Sequence, residues 1–144
     1  MPGADASHEP EHVVLYDGDC GLCHRTVRWI LAADPHGVFH FAPLQGTTAA
    51  ALRARHPELP ADLDTVLYVD RSTGSERVFL RSEAIFRVCD RLGRTPGWLG
   101  AVRRLPRWLT DFSYRAIARS RQVLSRRPAP CPLPPPAARV RFLP

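Results

Sequence analysis

Apolar and polar positions change period several times along the chain of 144 residues. His12-Val-Val-Leu-Tyr16 is a short β-branched run that stops at Asp17-Gly18, which predicts a buried strand running into a tight turn. From Cys20 the period lengthens. Cys23, Val27, Ile30 and Leu31 recur at i, i+4, i+7 and i+8, one face of a helix, and Arg25 and Arg28 fall off that face. Asp34-Pro35-His36-Gly37 ends the helix, and Val38–Phe41 predicts a second strand with Phe39 and Phe41 on the same side. A strand, a helix of about a dozen residues and another strand form a βαβ unit, which requires a parallel pair with a right-handed crossover.

Farther on, Thr47 or Thr48 is positioned to cap a helix over Ala49–Arg55, which Pro57 and Pro60 stop. Thr65–Val69 and Arg77–Leu80 predict a hairpin turning at Arg71–Ser75. Ser82 is the expected cap of a helix carrying Ile85, Cys89 and Leu92 on one face and closed by Gly93. Two more helices are predicted, around Trp98–Arg104 and Arg107–Leu124, with Pro106 at the break. Leu109, Phe112, Ala116 and Ile117 are expected to line the inner face of the second, and Trp98 and Trp108 to be core. The order βαβα–ββα predicts an α/β, thioredoxin-like sheet-and-helix domain with extra C-terminal helices and a Pro-rich tail. The expected divisions are a disordered N-terminus (1–11), the domain (12–127) and a tail (128–144). Seven prolines in 17 residues predict that the tail is extended, neither helix nor sheet. Its ending, Val140-Arg-Phe-Leu143, is apolar enough to predict that it packs back as a strap.

Charge divides the chain. Residues 1–86 hold 7 Arg against 12 Asp and Glu, whereas residues 87–144 hold 13 Arg against 2 acids. No Lys occurs. Solvated helix faces account for a basic half most simply, although an acidic partner, nucleic acid or anionic membrane would also suit it. Met1–Glu9 has neither a basic head nor an apolar run, and Trp29–Ala33 falls far short of the ~20 residues of a membrane span. A cytoplasmic location is therefore expected, where four cysteines point to catalysis, metal binding or burial rather than structural disulfides.

The chemistry concentrates in Asp17-Gly-Asp-Cys20-Gly-Leu-Cys23. A C-x-x-C pair at a strand-to-helix junction of a βαβ unit is a redox signature. Cys20 falls at a helix N-terminus, where unpaired N–H groups and the helix dipole favour the thiolate. Cys23 lies one turn in, on the apolar face, so Cys20 is the expected attacking sulfur and Cys23 the resolving one. Asp19 opposes a thiolate on Cys20, and His24, Arg25 and Arg28 can offset it, which predicts a dithiol that works as a reductant. Asp17 has two readings, a strand-ending turn residue or a carboxylate that takes the Cys23 proton. His24 is expected to face solvent, Cys89 to be a packed core thiol and Cys131 a non-catalytic tail residue. The competing use of the C-x-x-C is half of a zinc site, with Cys89, Cys131 and six His as the remaining candidates. No second C-x-x-C or paired His spacing supports it.

At these residues the sequence resembles the DCC-type thiol–disulfide oxidoreductases, whose D-x-x-C-x-x-C motif reads here Asp17-x-x-Cys20-x-x-Cys23. The likeness extends through Tyr16-Asp-Gly, Arg28, Phe41-Ala-Pro-Leu44, Arg81-Ser-Glu-Ala84, Asp111 with Tyr114, and Cys131-Pro to Arg141-Phe-Leu143. The resemblance implies a thioredoxin-like fold and a dithiol active site at Cys20 and Cys23. In one respect the chain departs from ordinary thioredoxins: Asp64-Thr-Val-Leu67 lacks the proline that usually begins the strand opposite the cysteines.

The expected activity is therefore dithiol exchange that reduces a protein or small-molecule disulfide, with no bound cofactor. The expected partners are the disulfide substrate and a cellular thiol reductant, a thioredoxin or glutathione system. Nucleic acid is not expected, because the Arg-rich half carries no recognition motif with interleaved aromatics. The alternative is a module that binds zinc through the cysteines or a partner through its basic C-terminal helices.

Overall fold

The computed structural model describes residues 9–19, 21–60, 65–94, 97–124 and 136–144. Its elements run β1 (His12–Tyr16), α1 (Gly21–Ala33), β2 (His40–Pro43), α2 (Thr47–Arg55), β3 (Leu67–Asp70), β4 (Arg77–Leu80), α3 (Arg81–Leu92), α4 (Gly97–Arg103) and α5 (Arg107–Leu124). A short 3-10 helix follows at Pro136–Arg141. The result is an α/β fold on a mixed four-stranded sheet of order β2-β1-β3-β4. β1 pairs parallel with β2, the βαβ unit expected from the sequence, and antiparallel with β3. β3 and β4 form the expected hairpin. β2 and β3 each begin two residues later than their apolar runs, because Val38, Phe39, Thr65 and Val66 lead into the strands without joining the ladder.

Alternation along β1 divides the core into two layers. Val14 faces Cys23, Val27 and Ile30 of α1 and Ala84 and Val88 of α3, together with Phe39, Phe41, Val66 and Tyr68. Val13 and Leu15 face Ala49 and Leu52 of α2 on the other side, with Ala42, Leu44, Leu67 and Val69. The spacing read in α1 is thus its buried face, and Arg25 and Arg28 are exposed. Asp34-Pro-His-Gly37 turns the chain out of α1, with Gly37 at φ 68° and its N–H on Asp34 O. Gly93, at φ 63°, closes α3 in the left-handed conformation that a glycine adopts without strain.

Several local expectations fail. Neither Thr47 nor Thr48 caps α2 through its side chain; the N-cap is Gly46. Pro144 O fills the position instead, accepting from Thr48 N at 2.9 Å and from the Thr47 hydroxyl at 3.3 Å. A Cβ on Gly46 would come within 2.7 Å of the Pro144 carbonyl carbon, so this approach needs a glycine. Ser82 is not a cap either, since β4 runs directly into α3 and Ser82 already lies in its first turn. At that junction Arg81 takes φ 57°, with its N–H on Val66 O at 3.1 Å.

The two chain ends also differ from their expected forms. Residues 9–11 are held, not disordered: Arg71 Nη1 donates to Pro10 O, Arg71 N donates to Glu11 O, and Glu9 pairs with Arg55 and Arg71. Residues 1–8 and 125–135, Cys131 among them, lie outside the described residues. Residues 136–141 are helical rather than extended. Beyond them Phe142 forms a parallel bridge to Phe41, and Leu143 N donates to Phe41 O at 2.7 Å, along the outer edge of β2. Phe142 packs on one core layer and Leu143 on the other. Arg141 anchors the segment through an ion pair to the buried Asp34 and a hydrogen bond to Phe39 O at 2.8 Å. Trp108 and Phe112, expected inside, are 71% and 67% exposed. α5 packs on α3, and Thr110 and Asp111 line the cleft between the two helices. Leu109 is half-buried and Ala116 exposed, while the side chains of Ile117 and Trp98 lie outside the described set.

Candidate active site

β1 ends at Tyr16, and Asp17-Gly18-Asp19 carries the chain to α1, whose first residue, Gly21, follows Cys20. Cys20 itself lies outside the described residues. The loop that leads to it is tied down by four hydrogen bonds. Asp17 Oδ1 accepts from Asp19 N at 3.1 Å, closing a turn of the kind short acidic side chains form with the backbone two residues on. The same oxygen accepts from Gln45 Nε2 at 2.9 Å, while Gln45 Oε1 accepts from Gly18 N at 3.3 Å. On the other side of Gly18, its carbonyl accepts from His24 Nε2 at 2.7 Å. Both backbone polar groups of Gly18 are therefore engaged by side chains from different elements.

Register explains why Gln45 is the partner. Tyr16 and Pro43 are paired in the parallel β1–β2 ladder, which Leu44 N extends by donating to Tyr16 O at 2.8 Å. Two residues beyond that pair, Gly18 and Gln45 stand level. His24 reaches back from the first turn of α1, and its ring meets Tyr16 edge-on at 5.7 Å. Tyr16 in turn meets Phe142 edge-on at 6.4 Å, and Phe142 stacks on Phe41 at 5.3 Å. The C-terminal segment thus supports the wall behind this loop.

Cys23 is 1% exposed and packs with Val27, Ile30 and Val66. Thr65 and Val66, the approach to β3, are buried as well, and the described residues contain no cis peptide bond. Asp17 is half-buried, and its hydrogen bonds among the described residues belong to the turn and to Gln45. Asp19 is exposed. His24 does not face solvent as expected; it is half-buried because its ring is turned toward Gly18 and Tyr16. Cys89 is buried on α3, where burial, and secondarily the Asp90 charge, pushes its thiol pKa up. Among the described residues no group of three or more His, Cys, Asp or Glu side chains could hold a metal ion.

Gln45 was missed in the sequence, although a signal was present. Once two strands are read as a parallel pair, the residues just past both C-terminal ends are neighbours, so Leu44-Gln45 had to lie beside Asp17-Gly18. His24 carried no comparable signal, because its partners, the Tyr16 ring and the Gly18 carbonyl, belong to the end of β1 and the loop after it.

A C-x-x-C borne on the junction between β1 and α1 of a mixed-sheet α/β domain marks a class of dithiol proteins. Within it the family is explicit: the model of the DCC1-like thiol-disulfide oxidoreductases matches residues 14–127, and the chain belongs to that family. It is 32% identical over 137 residues to the uncharacterised protein YuxK of Bacillus subtilis (strain 168), covering 94% of this chain and 96% of that one. It is 25% identical over 122 residues to a chloroplastic DCC family protein of Arabidopsis thaliana, covering 84% of this chain and 69% of that one. No solved structure matches.

Proposed function

We propose that the protein is a thioredoxin-like thiol–disulfide oxidoreductase that reduces disulfides through Cys20 and Cys23. The observation that carries the reading is the burial of Cys23 in the first turn of α1, at the end of a loop pinned by Gln45 and His24. A shielded second sulfur suits a resolving role, and the sulfur that precedes α1 suits attack.

The Cys20 thiolate attacks one sulfur of the substrate disulfide; the other sulfur leaves as a thiolate and takes up a proton. Cys23, once deprotonated, attacks the Cys20 sulfur. That step breaks the mixed disulfide, releases the second substrate thiol and leaves a Cys20–Cys23 disulfide, so two electrons have passed to the substrate. Asp17, held at the start of the loop by Gln45, is assigned the role of accepting the Cys23 proton. A thioredoxin or glutathione system supplies two electrons to restore the dithiol, and the cycle is proposed to run in the cytoplasm.

The test is reduction of a disulfide-linked protein by the reduced enzyme, with Cys20→Ser and Cys23→Ser alongside. Cys20→Ser should be inert. Cys23→Ser should stall as a mixed disulfide that mass spectrometry detects and that identifies bound substrates in a cell extract. Exchange that survives Cys20→Ser would overturn the assignment.

A further inference from the structure

At its N-terminal end α5 presents two aromatic side chains to water. Trp108 and Phe112, one turn apart, are 71% and 67% exposed, and Leu105, on the turn before the helix, is 42% exposed. Arg115 and Arg119 continue the stripe at three and seven residues past Phe112, and both are exposed. Thr110 and Asp111 of α5, with Leu105 before it, line a cleft of about 410 Å³ against α3. Among the described residues none covers Trp108 and Phe112. Charge narrows what covers them. Residues 97–124 hold six Arg and a single acid, Asp111, which is on the cleft side.

We propose that this face of α5 docks the protein on an anionic membrane surface. Two aromatic side chains on a convex helix form a ridge, not a groove, and their apolar area leaves water most readily by entering a medium that moulds around it. Trp and Phe beside Arg on a helix of 18 residues, about 27 Å long, are the features of a helix lying in the plane of a headgroup layer. The arginines add attraction to anionic lipid, which falls off with ionic strength. Cys23 lies on α1, a different element, and docking through α5 would concentrate dithiol exchange near disulfides at a membrane surface.

The test is co-sedimentation of the reduced full-length protein with vesicles of phosphatidylcholine alone or with added phosphatidylglycerol. Binding is expected to the anionic vesicles only, to weaken as salt is raised, and to fall about tenfold or more in Trp108→Ser/Phe112→Ser. Arg115→Gln/Arg119→Gln should also bind more weakly, and it serves if the aromatic variant fails to fold. Both variants are to be checked for an unchanged far-ultraviolet spectrum and unchanged exchange rate in solution. No binding to anionic vesicles at low salt would overturn the proposal. So would undiminished binding by the aromatic variant, a concentration-dependent dimer that this variant abolishes without any vesicle binding, or binding to single-stranded DNA alone.

Discussion

Gln45 and Gly18 are joined across the C-terminal ends of β2 and β1, with Gln45 Oε1 3.3 Å from Gly18 N and Nε2 of the same amide 2.9 Å from Asp17 Oδ1. One side chain thus holds both the backbone and the carboxylate of the loop that enters the C-x-x-C. Replacing it tests how far that loop must be preset. Gln45→Ala removes two partly exposed hydrogen bonds, each contributing about 1 kcal/mol, so the melting temperature should fall by only a few degrees. Disulfide exchange should slow by a larger proportion, about tenfold, because Asp17 and the loop that leads to Cys20 lose their fixed geometry. Stopped-flow exchange alongside thermal melts separates the two, and an unchanged rate would show that the clamp only contributes stability.

Asp17→Asn keeps an oxygen for Asp19 N and loses the proton-accepting charge. The first step, release of one substrate thiol, should proceed, while resolution by Cys23 slows and the mixed disulfide accumulates. Quenched-flow mass spectrometry checks this. Loss of both steps together would make Asp17 a loop residue alone.

Thiol reactivity should follow burial. In the native reduced protein Cys20 should be alkylated first, with Cys23 at 1% and Cys89 at 2% exposure far behind. Asp19→Asn leaves its backbone N–H on Asp17 and removes a negative charge next to Cys20, so the Cys20 thiol pKa should fall. Peptide mapping after brief alkylation and thiolate absorbance against pH provide the readings.

Arg141→Met leaves Asp34 buried at 4% exposure without its cation. Stranding a buried carboxylate costs about 3 kcal/mol, and each kcal/mol is worth about 2–4 °C in a domain of this size. Deleting residues 136–144 should cost more, because Phe142 and Leu143 leave both core layers and α2 loses Pro144 O. Differential scanning calorimetry ranks the three proteins, and a truncated chain that melts with the intact one would contradict the packing.

Acid should destabilise the fold. Burial, followed by the Arg91 charge, lowers the His12 pKa from 6.5, and burial, followed by Arg141, lowers that of His40. Each favours the neutral form when folded, so its stabilisation is complete above pH 6.5 and is lost as pH falls below 6.5 through the folded pKa. His56 runs the other way: hydrogen bonding, first to Glu58 and then to Glu76, raises its pKa, and its contribution fades as pH rises above 6.5. His40→Asn should narrow the gap between melting temperatures at pH 7 and pH 5, and His56→Asn should widen it.

Strand and helix order, the parallel βαβ unit, the hairpin and the inward face of Cys23, Val27 and Ile30 were all determined by the sequence alone. Each is written in a local period or a turn residue, and a period states which side chains leave water together. The partners those elements find were decided only by the tertiary structure. Nothing near Asp34 announces Arg141, 107 positions away, and nothing at Thr47 announces that Pro144 O will take the place of a side-chain cap. The same holds for His24, whose ring meets Tyr16 and the Gly18 carbonyl, and for α5, where Phe112 and Trp108 were expected inside and are exposed while Leu109 is half-buried. An amphipathic pattern fixes that one side differs from the other; which side is covered depends on what the rest of the chain has already buried.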